Sequence, residues 1–234
     1  MKLPNKRLER KLFKSGYQLI YAVDEVGVGC LAGPVVACAV AVTDAFYKKY
    51  KKNLRGVRDS KLLQAKQREK LSAELLKEKD LAYAIALSTP RTIDKLNIYN
   101  AARLAMKRAI IKLTGSWPDT PHECSTSLRA PEGPSRATPF LKTIVLVDGK
   151  NKIKGLDIEQ AAIVKGDRKV FAIACASIIA KVFRDKLMAK YAKKYPGYGF
   201  EKHKGYGTKY HQVQLASLGP CTIHRKSFRL SYPQ

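Results

Sequence analysis

Leu19-Ile20-Tyr21-Ala22-Val23-Asp24-Glu25-Val26-Gly27-Val28-Gly29 is the stretch on which the reading of this chain turns. An apolar run of strand type stops on two adjacent carboxylates, and two glycines then allow a tight turn and a close approach of backbone to a ligand. In α/β folds the ends of buried strands carry the active sites. Two acids side by side there repel each other, and a bound cation removes that cost. The arrangement recurs downstream, where Ile144-Val145-Leu146-Val147 runs into Asp148-Gly149. If both strands are central and parallel, their ends bring Asp24, Glu25 and Asp148 together. A further acid, Asp167 after Gly166, directly precedes an apolar stretch.

Working outward, Gln18 to Val23, Pro34 to Val42, Leu81 to Leu87, Thr143 to Val147 and Ile158 to Val164 read as strands. Leu62, Leu63, Leu71, Leu75 and Leu76 have helical spacing. Pro90 and Thr92 open one helix that continues through Ile110, Val170 to Val182 is apolar almost all round and reads as a buried helix, and His211 to Leu218 is a short C-terminal helix. Residues 1–14 form a basic lead-in, and Leu54 to Arg58 a loop. Strands alternating with helices indicate an α/β layer architecture. We expect one domain over residues 1–234, interrupted at 115–139 by an irregular surface loop or disordered insertion that holds five of the eleven prolines and has little apolar periodicity.

Lys and Arg number 45 against 19 Asp and Glu, a net charge of +26 in 234 residues. Such self-repulsion adds nothing to stability, and its usual reason is a polyanionic partner, nucleic acid first. The basic residues spread along the chain instead of forming one amphipathic helix, which argues against a membrane surface. The five cysteines are an odd number without a C-x-x-C pair, which favours a reducing cytoplasm over a disulfide framework. No apolar run is long enough to span a membrane.

Clustered carboxylates without an accompanying His or Cys suit Mg²⁺ or Mn²⁺, not zinc. In a very basic protein they point to two-metal phosphoryl chemistry on nucleic acid, with ions roughly 3.5–4 Å apart. Several short motifs then fall in one order: Asp24-Glu25-Val26-Gly27-Val28-Gly29 with Ala32-Gly33-Pro34; Asp59-Ser60-Lys61; Leu96-Asn97-Ile98; Val147-Asp148-Gly149; Gly166-Asp167; Ala176-Ser177-Ile178 with Ala180-Lys181 and Arg184-Asp185; His203-Lys204-Gly205-Tyr206-Gly207-Thr208; and His224-Arg225 with Ser227-Phe228. In these, the chain from about Leu19 to Phe228 resembles the type 2 ribonucleases H, bacterial ribonuclease HII. The resemblance implies a ribonuclease H-like mixed sheet flanked by helices, with a helical C-terminal segment. It also implies an endoribonuclease that cuts the RNA strand of RNA·DNA hybrids, and single ribonucleotides embedded in DNA, leaving 3′-hydroxyl and 5′-phosphate ends. It assigns Asp24, Glu25, Asp148 and Asp167 to two Mg²⁺ or Mn²⁺ ions.

The same resemblance places the 2′-hydroxyl and neighbouring phosphates on Gly27, Val28 and Gly29, a sugar against the Tyr206 ring, and backbone phosphates at Ser60, Lys61, Asn97 and Lys181. The family usually has Arg where this chain has Val28. Val28 keeps the N–H but lacks the guanidinium fork, so hybrid cleavage is expected to survive with weakened recognition of a lone ribonucleotide. Asp167 could equally serve as a helix N-cap, and Asp185 as a structural partner of Arg184 or nearby lysines. The spacing of His203, His211 and His224 matches no zinc signature, and His224 is expected to order the C-terminal segment. A monomer is expected. The competing readings are a non-catalytic basic nucleic-acid-binding protein and a related nuclease acting on branched DNA.

Overall fold

The computed structural model describes residues 4–48, 56–57, 60, 63–115 and 142–228. Lys61 and almost all of the 115–139 segment lie outside the described residues. A five-stranded mixed sheet forms the centre. Its strands are β1 (Leu19–Val26), β2 (Val35–Val42), β3 (Leu81–Ser88), β4 (Thr143–Asp148) and β5 (Gln160–Ile163), in the order β3-β2-β1-β4-β5. β3, β2 and β1 pair antiparallel, and β1, β4 and β5 pair parallel. β1 is therefore the middle strand, with parallel β4 beside it, which meets the condition on which the acids of the two strands come together.

Side chains alternate across the sheet. Ile20, Ala22, Cys38, Val40, Val42, Ile144 and Leu146 face one core, packed on the long helix α6 (Phe171–Lys194) and on α3 (Ala65–Leu75). Tyr21, Val23, Ala37, Ala39, Ala41, Val145 and Val147 face the other, against Ala105, Met106, Ala109 and Ile110 of α5 (Ile98–Thr114). Every residue of β2 is buried, which is why its sequence is an unbroken apolar run and not an alternating one. The single helix expected from Pro90 to Ile110 is two helices, α4 (Pro90–Leu96) and α5, broken at Asn97. Asn97 takes φ 64°, ψ 163°, and its side chain accepts from the Asn100 N–H as the cap of α5. A local side-chain bond here outcompetes continuation of an otherwise periodic helix.

α1 (Arg7–Lys14) and α2 (Asp44–Lys48) cover the start of α6. Val170, the N-cap of α6, makes no side-chain cap bond. Glu9, wholly buried, supplies one from a distance: its carboxylate accepts from the Ala172 N–H at 3.1 Å and from the Tyr47 hydroxyl at 3.2 Å. A carboxylate at a helix N-terminus is favoured by the macrodipole, yet burial still raises the Glu9 pKa above the ordinary carboxylate value. The C-terminal part, α7 (Phe200–His203), α8 (Lys209–Leu218) and the chain to Phe228, packs around Ala32, Met188, Tyr198, Phe200, Leu215 and Ile223.

A candidate metal and nucleic-acid site

Asp24 lies inside the β1–β2 ladder, opposite Cys38, but just beyond the last β1–β4 pair, Val23 with Val147. The next residue of each strand is an acid. Neighbouring strands run about 4.8 Å apart, so Asp24 and Asp148 become adjacent where the parallel pairing ends. Both follow the residue parity that faces α6. Glu25, one residue on, follows the opposite parity, so the pleat carries it to the α5 side of the strand end.

Asp167 sits in a 3₁₀ turn, Gly166–Arg168, between β5 and α6. It is not the cap of α6, contrary to the simplest reading of an acid before a helix. The turn is drawn onto β4 by the Gly166 N–H, which donates to Asp148 Oδ1 at 2.6 Å. A Cβ on Gly166 would meet Ile173 Cδ1 at 2.6 Å and Asp148 Oδ1 at 3.1 Å, so a larger residue would have to displace the tip of Ile173 and crowd this bond.

Asp24 is nearly inaccessible, at 4% exposure. Its pKa is raised well above the ordinary value, first by burial, then by repulsion from Glu25 and Asp148 and more weakly from Asp167; a hydrogen bond from Ser177 opposes the shift. Asp24 Oδ1 also accepts from the Glu25 N–H at 2.8 Å. The acids therefore act on one another across three separate chain segments. Among the described residues, no three His, Cys, Asp or Glu side chains form a group that could hold a metal ion as they are placed. The donor chemistry nonetheless fits a hard divalent cation: the groups are all oxygen, and the central one is buried and repelled by its neighbours.

The glycine turn after β1 is held by two arginines with no surface exposure. Arg225 donates to the carbonyls of Gly33 (3.0 Å), Val28 (2.8 Å) and Gly27 (2.6 Å). Arg184 donates to Pro34 (3.0 Å), Ala32 (3.2 Å) and Lys204 (2.9 Å). Gly27 has φ +92°, and a Cβ there would stand 2.2 Å from Arg184 Nε. Both arginines fall within sequence motifs, yet motif and composition gave them no role. The overlooked signal in Arg184 is its place between Ala180 and Met188, four residues either way on a buried helical stripe. A buried Arg must find acceptors, and only turn carbonyls are within reach. Asp185, in mid-helix, pairs instead with Lys181 (2.8 Å) and Arg68 (3.5 Å), not with Arg184.

The other sequence-selected residues divide. Val28 is exposed at 38% on the tip of the glycine turn, and Tyr206 is equally open. Lys181 Nζ stands 5.7 Å from the Tyr206 ring centre. The Tyr206 loop is joined to the turn: Gly205 O accepts from the N–H of Leu31 (2.8 Å) and of Ala32 (3.3 Å). Ser60 is buried, and its hydroxyl meets that of Ser177 at 3.0 Å. It thus supports the residue that bonds Asp24 and is turned away from solvent. Asn97 is occupied as a cap. Beside Tyr206, a cavity of about 540 Å³ opens between α3, α6 and α7, with Arg68, Lys181, Lys186, Lys202 and Lys204 among its lining residues.

Known proteins match this chain in sequence and in fold. The sequence model of the family described as Ribonuclease HII matches residues 22–132 and 134–232. The chain belongs to the ribonuclease HII family. It is 48% identical to the ribonuclease HII of Caldicellulosiruptor bescii over 221 residues, 94% of this chain and 91% of that protein. It is 42% identical to the ribonuclease HII of Bacillus subtilis over 94% of this chain and 73% of that one. The crystal structure of ribonuclease H2 from Pyrococcus horikoshii superposes with a TM-score of 0.64 at 26% identity, covering 91% of this chain and 94% of the other. A ribonuclease HIII named Bst-RNase HIII shares the fold alone, with a TM-score of 0.57 at 18% identity over 76% of this chain and 56% of that one. The chain is a ribonuclease H hydrolase, with the expected mixed sheet flanked by helices. Among the described residues no helix is long and apolar enough to cross a membrane.

Proposed function

We propose that this ribonuclease HII cleaves the RNA strand of RNA·DNA hybrids with two divalent ions held by Asp24, Glu25, Asp148 and Asp167. The observation that carries this reading is the buried Asp24 carboxylate, repelled by Glu25, Asp148 and Asp167 from β1, β4 and the 3₁₀ turn. Coordination requires the side chains to draw together from their present placement. When bound, the ions activate water and stabilise the leaving oxygen.

The remaining residues bind and orient the substrate. The N–H groups of Gly27, Val28 and Gly29, on a turn whose carbonyls the arginines engage, face the ribose 2′-hydroxyl, the group that separates RNA from DNA in a shallow minor groove. Tyr206 packs on the sugar beside the scissile phosphate. Lys181 and the basic residues of the neighbouring cavity follow the phosphate backbone, so affinity falls steeply with salt. Ser60 serves through Ser177 and Asp24, and Lys61 contacts phosphate. Without an arginine at position 28, a lone ribonucleotide in DNA is cut less efficiently than a hybrid. The setting is the cytoplasm, in DNA replication and repair, and the enzyme acts as a monomer.

The test uses a full hybrid and a duplex with one ribonucleotide, with Mg²⁺ or Mn²⁺, scoring the ends of the products. Cleavage leaving 3′-hydroxyl and 5′-phosphate ends, abolished by Asp24→Asn with duplex binding retained, supports the reading. Undiminished turnover in that variant refutes it. Gel shift without any product would favour a non-catalytic binding protein.

A further inference from the structure

Three histidines pack around the loop that presents Tyr206, and their hydrogen bonds admit a proton assignment. His211 Nδ1 lies 2.9 Å from the carbonyl of Tyr206. A carbonyl only accepts, so Nδ1 carries the proton. In a neutral ring Nε2 of His211 is then an acceptor, and it lies 3.1 Å from His224 Nε2. That atom must be the donor. His224 Nδ1 is left as the acceptor, and the Cys221 N–H donates to it at 2.9 Å. The Cys221 carbonyl, 3.3 Å away, already accepts from the His224 N–H at 3.0 Å.

His203 stacks on His211 with ring centres 4.3 Å apart. It accepts the Gly205 N–H at Nδ1 (3.2 Å) and faces the Tyr198 carbonyl with Nε2 (2.8 Å). Phe200 closes edge-on against both His203 and His211. His211 is wholly buried and His224 nearly so. Burial, with repulsion from the neighbouring rings, pushes His211 down to about 4 and lowers His224, and burial with the Lys204 charge lowers His203, consistent with neutral imidazoles.

We propose that Cys221 N–H, His224, His211 and the Tyr206 carbonyl form a proton-ordered chain in which His211 and His224 are positioning residues for the Tyr206 loop. The chain runs from the C-terminal segment to the residue that faces the substrate. The same loop is tied from its other side to the glycine turn through Gly205 O. Tyr206 is thereby fixed between the turn that reads the 2′-hydroxyl and a wall of neutral rings. This rests on the proposed role of Tyr206 at the sugar, but the proton assignment stands independently of it.

The test has two arms. Long-range ¹H–¹⁵N spectra of the full chain at neutral pH report which ring nitrogen holds each proton. The expected result is Nδ1–H for His211 and Nε2–H for His203 and His224, all uncharged; an Nε2–H or charged His211 overturns the proposal whatever the activity. In the second arm, kcat and KM are measured on a duplex with one ribonucleotide. His211→Leu, which has no donor, should lower kcat roughly tenfold or more with little change in KM, as a misplaced positioning group does. His211→Asn, which keeps a donor near the Nδ1 position, should recover most of that loss. Equal kcat in the two variants overturns the positioning role. A Tyr206→Ala variant as active as the parent would instead refute the sugar contact and leave the assigned tautomers intact.

Discussion

Replacing Arg225 by Ala tests whether the glycine turn is held by its arginines. The guanidinium makes three bonds to turn carbonyls, at 3.0, 2.8 and 2.6 Å. Hydrogen bonds to a charged group contribute about 1.5–3 kcal/mol each, so the gross effect is about 4.5–9 kcal/mol. Burial, with repulsion from Arg184, opposes this and pushes the Arg225 pKa down to about 10, a cost of about 3.5 kcal/mol at about 1.4 kcal/mol per unit. The balance favours the native arginine by about 1–5.5 kcal/mol, a sizeable share of a typical domain's total of about 5–15. Urea unfolding of parent and Arg225→Ala, read by circular dichroism, measures it. If the variant folds, cleavage of a singly ribonucleotide-substituted duplex should fall through kcat, because the turn loses its fixed shape. A stability change below about 1 kcal/mol would refute the reasoning, since it would mean that the buried bonds only balance desolvation.

Gly27→Ala should destabilise by about 3 kcal/mol or more, from a positive φ that costs an L residue about 1–2 kcal/mol and from displacement of Arg184, whose Nε would lie 2.2 Å from the new Cβ; the same unfolding assay reads it. Val28→Arg should raise kcat/KM on the single-ribonucleotide duplex relative to the hybrid by roughly tenfold, the value of one charge-assisted bond to phosphate or ribose, and an unchanged ratio would remove Val28 from substrate choice. The folded-state pKa values of His203, His211 and His224 are depressed. The unfolded chain therefore binds more protons below about pH 6.5, and stability is lost as pH falls from there towards about 4, the value for His211. His211→Asn should flatten that part of the profile in denaturant midpoints measured against pH.

The candidate site was legible because its acids are local features of the chain. An apolar run ending on acids marks β1 and β4, and the parallel register sets those ends side by side. The ordered motifs then identified the family. What the sequence hid depends on contacts across long separations. Arg225 and the turn it holds are 192 residues and more apart. The break at Asn97 is a side-chain cap that helical periodicity overlooks. Asp167 looked like a cap because only the fold shows its turn fastened to Asp148. Ser60, expected at a backbone phosphate, is buried behind Asp24 through Ser177. Strand parity sets Glu25 opposite to Asp24 along β1, yet its charge is the first of the three that repel Asp24.

Cation binding by the acids of β1 and β4 is the claim on which the mechanism stands. The direct measurement is calorimetric titration of Mn²⁺ into the parent protein and into Asp24→Asn and Asp148→Asn, with circular dichroism to verify folding. Saturable binding in the parent, weakened roughly tenfold or more in each folded variant, is the predicted result. Binding of equal strength in all three would contradict it.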